Sequence, residues 1–163
     1  MTEPPADRPY MPGYGISTDP SLLLPWSYAQ RRLTEAHNYW VATTGPNGAP
    51  HVAAVWAVYV DGAVCFSTGA RSRKARNLAA DPRCVVTPEG AAEAVVVRGV
   101  ARLLPDPSDQ RDRAGTAYQA KYGSGFPPGE PVYAVDPVTV IGMTEAEFTG
   151  RATEMPPFYP WQD

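Results

Sequence analysis

Four cations stand within six positions: Arg71, Arg73, Lys74 and Arg76. They follow directly on Phe66-Ser67-Thr68-Gly69-Ala70. The apolar stretch before them reads as a strand and Gly69 as part of a turn. Ser72 opens a short helix, Arg73 to Ala80, which Asp81-Pro82 stops. A helix start offers unpaired N–H groups and about half a positive charge. Hydroxyls on Ser67, Thr68 and Ser72 add hydrogen bonds, so the segment suits an anion, most naturally a phosphate. All four cations are candidates for such a group. A solvated basic face on a short helix is the plainer account of the same residues. With no Walker pattern, an ATP-hydrolysing loop is not expected.

A second segment, Gly48 to Val58, sets small residues beside Trp56. They would let a flat ligand approach the strand backbone closely. The competing expectation is a core strand with Trp56, like Trp40, packed inside. His51 could donate to such a ligand, although a structural histidine is the default. Tyr118, Lys121 and Tyr122 lie about one helical turn apart and could reach an anionic tail or a substrate; helix packing is the simpler role. Cys65 and Cys84 read as buried small apolar residues. Arg98 and Arg102 read as an outward strand edge.

These residues must be held by elements that the sequence also marks. Residues 1–25 read as a proline-rich arm, 26–152 as one domain and 153–163 as a tail. Ser27 to Gln30 has the spacing of a capping box, which predicts a helix over 27–38. Tyr39 to Thr44 reads as a strand, and Asn47-Gly48 as a turn with positive φ. His51 to Val60 reads as one long strand, joined through Asp61-Gly62 to Ala63–Thr68. Further strands are expected at Arg83–Thr87, Ala94–Leu104, Val132–Val135, Val138–Met143 and Glu147–Thr149. A helix is expected from Asp106, as N-cap with Pro107 at the first position, to Tyr122, ended by Gly123. Six or seven mostly hairpin-linked strands with short helices predict a β-dominated α+β fold, an antiparallel sheet closing into a barrel.

Composition limits the function further. The 163 residues are 44% hydrophobic and 19% charged, which is globular rather than disordered. A net charge of −3 argues against a dedicated nucleic-acid binder. Two cysteines and two histidines make a protein-ligated metal centre unexpected. No apolar run is long enough for a membrane helix, and no secretory leader is visible, so a cytoplasmic protein is expected. Lys74 and Lys121 are the only lysines among 14 basic side chains.

In order, Tyr39-Trp40-Val41-Ala42-Thr43-Thr44, Gly48-x-Pro50-His51, Val55-Trp56, Asp61-Gly62, Phe66-Ser67-Thr68, Ser72-Arg73-Lys74-Ala75-Arg76-Asn77-Leu78 and Asp81-Pro82 resemble a known pattern. It is that of the split β-barrel flavin and deazaflavin oxidoreductases, the pyridoxamine 5′-phosphate oxidase-like superfamily with its FMN-binding split barrel. The likeness covers roughly residues 11–150 and is closest to the coenzyme F-420-dependent B group. The oxidases' Arg and Lys on the long strand are replaced by Ala53 and Val58, and their glutamine by Ala94.

The resemblance implies a homodimer with two cofactor sites at the interface. It implies the phosphate on Thr68, Ser72, Arg73 and Lys74, led by Arg73 and Lys74, with Asn77, Arg71 and Arg76 behind them for the same tail, and the ring against Val55, Trp56 and Ala57. The implied activity is hydride transfer from reduced F-420, an 8-hydroxy-5-deazaflavin, to a conjugated electron-poor molecule of quinone, enone or tetrapyrrole type. No nucleic-acid or membrane partner is implied. FMN as the cofactor, or a non-enzymatic F-420- or haem-binding protein, are the alternatives. Trp161 is expected to close over the partner subunit.

Overall fold

The computed structural model describes residues 3–17, 19–146 and 149–155. Three α-helices and eight strands follow in the order α1 (Trp26–Glu35), β1 (Tyr39–Thr44), β2 (Pro50–Val55), β3 (Ala57–Val60), β4 (Ala63–Ser67), α2 (Arg73–Ala80), β5 (Arg83–Pro88), β6 (Glu93–Leu103), α3 (Asp109–Tyr122), β7 (Val132–Thr144) and β8 (Thr149–Glu154). The strands form one antiparallel sheet, ordered β2-β1-β5-β6-β7-β4-β3, with β8 added to β7. The two ends of that order, β2 and β3, are consecutive in sequence and separated only by Trp56. The sheet thus curls until its ends meet in one broken strand. This is a split barrel, the β-dominated α+β fold expected from the sequence.

Closure of the sheet explains the first departure from the sequence reading. His51 to Val60 is not one strand: β2 pairs with β1 and β3 pairs with β4, so the chain must change neighbours, and it does so at Trp56. The turns behave as their residues dictate. Asn47 and Gly48 take φ of 62° and 76°, and Asp61 and Gly62 take 53° and 78°. These left-handed values suit a tight hairpin whose twist matches its strands.

β7 is one strand where two were expected. Pro137 in its middle lacks an N–H, which ordinarily breaks a ladder. It lies opposite Gly99, where the β6–β7 register shifts by a bulge, so that donor is not demanded. Glu147 and Phe148 lie outside the described residues, and the last strand runs from Thr149 to Glu154.

Two helix caps also differ. Trp26 begins α1 and Pro25 is its N-cap, so Ser27 sits inside the first turn and caps nothing. The Trp26 N–H instead donates to Glu3 Oε1 at 2.6 Å. Glu3 also pairs with Arg151, a guanidinium only 4% exposed. The N-terminal arm is therefore part of the fold, and it bridges to β8 through Asp7 and Ala152. Ser108, not Asp106, caps α3, accepting from the Arg111 N–H; Asp106 forms an ion pair with the Arg111 side chain instead.

Two apolar layers lie on opposite faces of β3 and β4. Ala57, Val64 and Phe66 face the barrel interior with Tyr39, Val41, Val86, Val95 and Leu33. Val58 and Cys65 face α3, against Ala114 and Tyr118. Burial on both faces is why Ala63–Phe66 is uninterruptedly apolar. It also accounts for Cys65, while Cys84 is buried in the interior. In contrast, Trp40 and Trp56 are not core residues. They remain 47% and 43% exposed.

Candidate functional site

The corner for which the sequence suggests an anion forms where β4 hands over to α2. Ser67 Oγ donates to the Pro131 carbonyl at 2.9 Å, and the Thr68 N–H points at the same oxygen. Ala70 N–H donates to Glu130 Oε2 at 2.8 Å. The loop before β7 thereby pins the turn from one side. Ser72 Oγ caps α2 by accepting from the Ala75 N–H at 3.1 Å, and it lies 3.1 Å from Thr68 Oγ1. One of these hydroxyls serves the other, which fixes both side chains.

Arg71, Arg73 and Arg76 are exposed and Lys74 is half-buried. Among the described residues, none of the four makes an ion pair or a side-chain hydrogen bond. Loss of water pulls the Lys74 pKa below the ordinary lysine value, with no carboxylate to offset it. A desolvated, unpaired ammonium is a group that binding an anion would stabilise.

Two clefts flank the β1–β2 turn and share Gly45, Pro46 and Arg73. The larger, about 740 Å³, also takes in Arg76 and Asn77; the smaller, about 360 Å³, takes in Pro50 and His51. His51 Nδ1 is buried and has no hydrogen-bond partner among the described residues. Thr68, Ser72 and Lys74 line neither cleft, so the corner and the clefts meet different faces of α2.

The sequence-predicted residues thus fall into four groups. Thr68 and Ser72 meet at the start of α2, with Ser67 at the end of β4 just before them and Lys74 in the first turn of the helix. Arg73 faces the clefts. Asn77 is buried, 3% exposed, and its amide donates to Thr43 Oγ1 at 2.9 Å, tying α2 to β1. Val55, Trp56 and Ala57 occupy the strand break, and the Ala57–Phe66 pairing brings the end of β4 beside it. Ala53 and Val58, where the oxidases carry charge, are half-buried and buried here.

A feature that spacing alone did not resolve surrounds Trp56. Its ring stacks on Tyr122 with centroids 4.6 Å apart and parallel planes. The His37 ring meets both edge-on, at 5.7 and 5.2 Å. Lys121 turns inward to Ala57 and Tyr39 rather than out toward solvent. Its adjacency to Tyr122 was visible in sequence, but its direction depends on where α3 docks.

The model of the pyridoxamine 5′-phosphate oxidase family matches residues 28–150. The chain belongs to that family. No curated protein matches it. Among solved structures, an F420 reductase is 21% identical, with 72% of this chain and 98% of that one covered at a TM-score of 0.57. A heme binding protein from Mycobacterium smegmatis is 19% identical over 81% and 59% of the two chains, at 0.66. An FAD-binding protein from Mesorhizobium loti is 21% identical over 80% and 96%, at 0.59. At these identities the likeness is one of fold. Among the described residues no helix is long and apolar enough to cross a membrane.

Proposed function

We propose that the protein is a homodimeric oxidoreductase that binds the deazaflavin F-420 and reduces a conjugated, electron-poor small molecule such as a quinone, enone or tetrapyrrole. The observation that carries this reading is the half-buried Lys74 ammonium, without a counter-ion, at the capped start of α2. Lys74 and Arg73 would neutralise the cofactor's phosphate, with Ser72 and Thr68 supplying hydroxyls. Asn77 would hold α2 against β1, and Arg71 and Arg76 would meet the remaining carboxylates of the tail. The ring would lie on Val55, Trp56 and Ala57, beside Ser67. Bound there, the reduced coenzyme supplies a hydride, and the protein's task is to hold donor and acceptor carbons about 3–3.5 Å apart with water excluded. No acid–base pair of side chains is required for that task.

Dimerisation is supported by an uncovered apolar face. Trp40 and Val52, 47% and 59% exposed, lie on adjacent strands with Ala42 and Ala54 between them. The resemblance implies cofactor sites at such an interface. The absence of charge at Ala53 and Val58 favours F-420 over FMN.

A side-by-side titration of the apo protein with F-420 and FMN tests the proposal. Submicromolar binding of F-420, weaker binding of FMN and NAD(P)H-independent reduction of a quinone or enone panel by reduced F-420 are expected. FMN retained through gel filtration would overturn the choice of cofactor. Tight F-420 binding with no turnover across the panel would support a carrier instead.

A further inference from the structure

At the β2–β3 break the sheet leaves the peptide groups of Ala57 to be satisfied from elsewhere. Two consecutive residues of α3 do so. Ala57 N–H donates to Tyr122 Oη at 3.0 Å, and the Ala57 carbonyl accepts from Lys121 Nζ at 3.0 Å. The Tyr122 hydroxyl proton lies within reach of two carbonyls, Ala57 at 2.9 Å and His37 at 2.8 Å. Because Lys121 already serves the first, the second completes the set. Lys121 donates again to Tyr39 Oη at 2.8 Å, and Tyr39 donates to the Leu33 carbonyl at 2.7 Å. The network joins α1, the segment before β1, β1, β3 and α3, and it leaves none of these backbone groups unpaired. Its other consequence is at Trp56. With its neighbour's peptide held and one ring face against Tyr122, the indole keeps 43% of its surface in solvent.

We propose that Lys121 and Tyr122 are positioning residues: they latch the strand break so that Trp56 is presented as a stacking platform for a flat conjugated ring. The identity of that ring rests on the preceding reading, whereas the latch does not. Tyr122 backs the indole from the side opposite the incoming ring and fixes the backbone beside it with the hydroxyl of the same residue. Aromatic stacking of this kind favours offset parallel planes.

The test uses the full chain labelled with 5-fluorotryptophan, with the Trp56 ¹⁹F resonance assigned from Trp56→Phe. Tyr122→Phe keeps the ring and removes the hydroxyl; Lys121→Met removes the ammonium; Lys121→Arg restores a donor. In the apo protein, the first two should shift or broaden the Trp56 resonance while those of Trp26 and Trp40 stay in place. Lys121→Arg should recover the wild-type position at least partly. The F-420 dissociation constant should rise about tenfold in Tyr122→Phe, the lower end of what one lost stacking contact costs. An unmoved Trp56 resonance in folded Tyr122→Phe overturns the latch, even if Lys121→Met fails to fold. A moved resonance with wild-type affinity overturns the platform. Wild-type protein that binds neither F-420 nor FMN overturns the preceding reading instead, and the apo resonance still decides the latch.

Discussion

Lys74 and Lys121, the only lysines, both lose water on folding, and for different ends. Lys74 has no partner among the described residues, and the proposed function gives it an anion to hold. Lys74→Ala is expected to weaken F-420 binding by about 1–3 kcal/mol, the range for losing a charged hydrogen-bond partner. An unchanged dissociation constant by fluorescence titration would contradict that role. Lys121 is hydrogen-bonded to a phenol and a carbonyl, neither of which carries charge, and burial lowers its pKa to about 8. The folded protein therefore releases this proton near pH 8, while the unfolded chain keeps it to about 10.5. Over that window the unfolded state binds more protons, so the fold gains stability from this group as pH rises. Urea unfolding of wild type and Lys121→Met at pH 7.5 and 9.5 should show the difference moving in favour of wild type. A constant difference would mean that the lysine is no more protonated in one state than the other.

The elements show how local chemistry and closure divide the work. Ser72 caps α2 as its sequence position demands, and Ser72→Ala should cost about 1 kcal/mol of stability. It should also weaken cofactor binding, because Thr68 loses its hydroxyl neighbour. β6 is governed by Gly99. A Cβ there would fall 2.6 Å from both the Asp136 carbonyl oxygen and Val135 Cγ1, neither of which can move without disturbing β7. Gly99→Ala should destabilise the protein by about 1–3 kcal/mol, the usual cost of overpacking, read as a lower midpoint in urea. A variant as stable as wild type would show that the bulge can relax. The turns were legible because Asn47-Gly48 and Asp61-Gly62 have positive φ built into their residue types. The α1 cap was not legible, because its acceptor, Glu3, is 23 residues away from Trp26.

For the molecule as a whole, two consequences follow from its apolar surfaces. The outer face of β1 and β2 exposes Trp40 and Val52, and a charge placed there should prevent self-association. Val52→Arg is expected to sediment as a monomer where the wild type sediments as a dimer, and a wild-type monomer would remove the interface. Groups that lose water on folding set alkaline stability. Burial raises the Cys65 and Cys84 thiols to about 12 from 9.0, and Tyr122 to about 12 from 10.0. Folded, these groups keep protons that the unfolded chain loses, so their contribution is complete below pH 9 and is lost as pH rises toward 12. Two thiols and a phenol outweigh the opposite trend of Lys121. Unfolding free energy should therefore fall between pH 9 and 11, and fall less in a Cys65→Ala, Cys84→Ala variant.

By itself the sequence determined what depends on neighbours in the chain. The strand–turn–helix around Gly69, the Ser72 cap, the left-handed turns and the apolar runs are all short-range; they indicated an antiparallel sheet closing into a barrel, and the family resemblance implied that the barrel is split. Tertiary structure decided what depends on closure. Where His51–Val60 breaks is set by β1 and β4 claiming opposite halves of it, and Trp56 leaves the core because it stands at that exchange. Lys121 points inward because α3 docks on β3, and Pro137 fits a strand because Gly99 bulges across from it. Pairing partners far apart in the chain fix these outcomes, since an unpaired peptide group inside a barrel costs more than any local propensity can return.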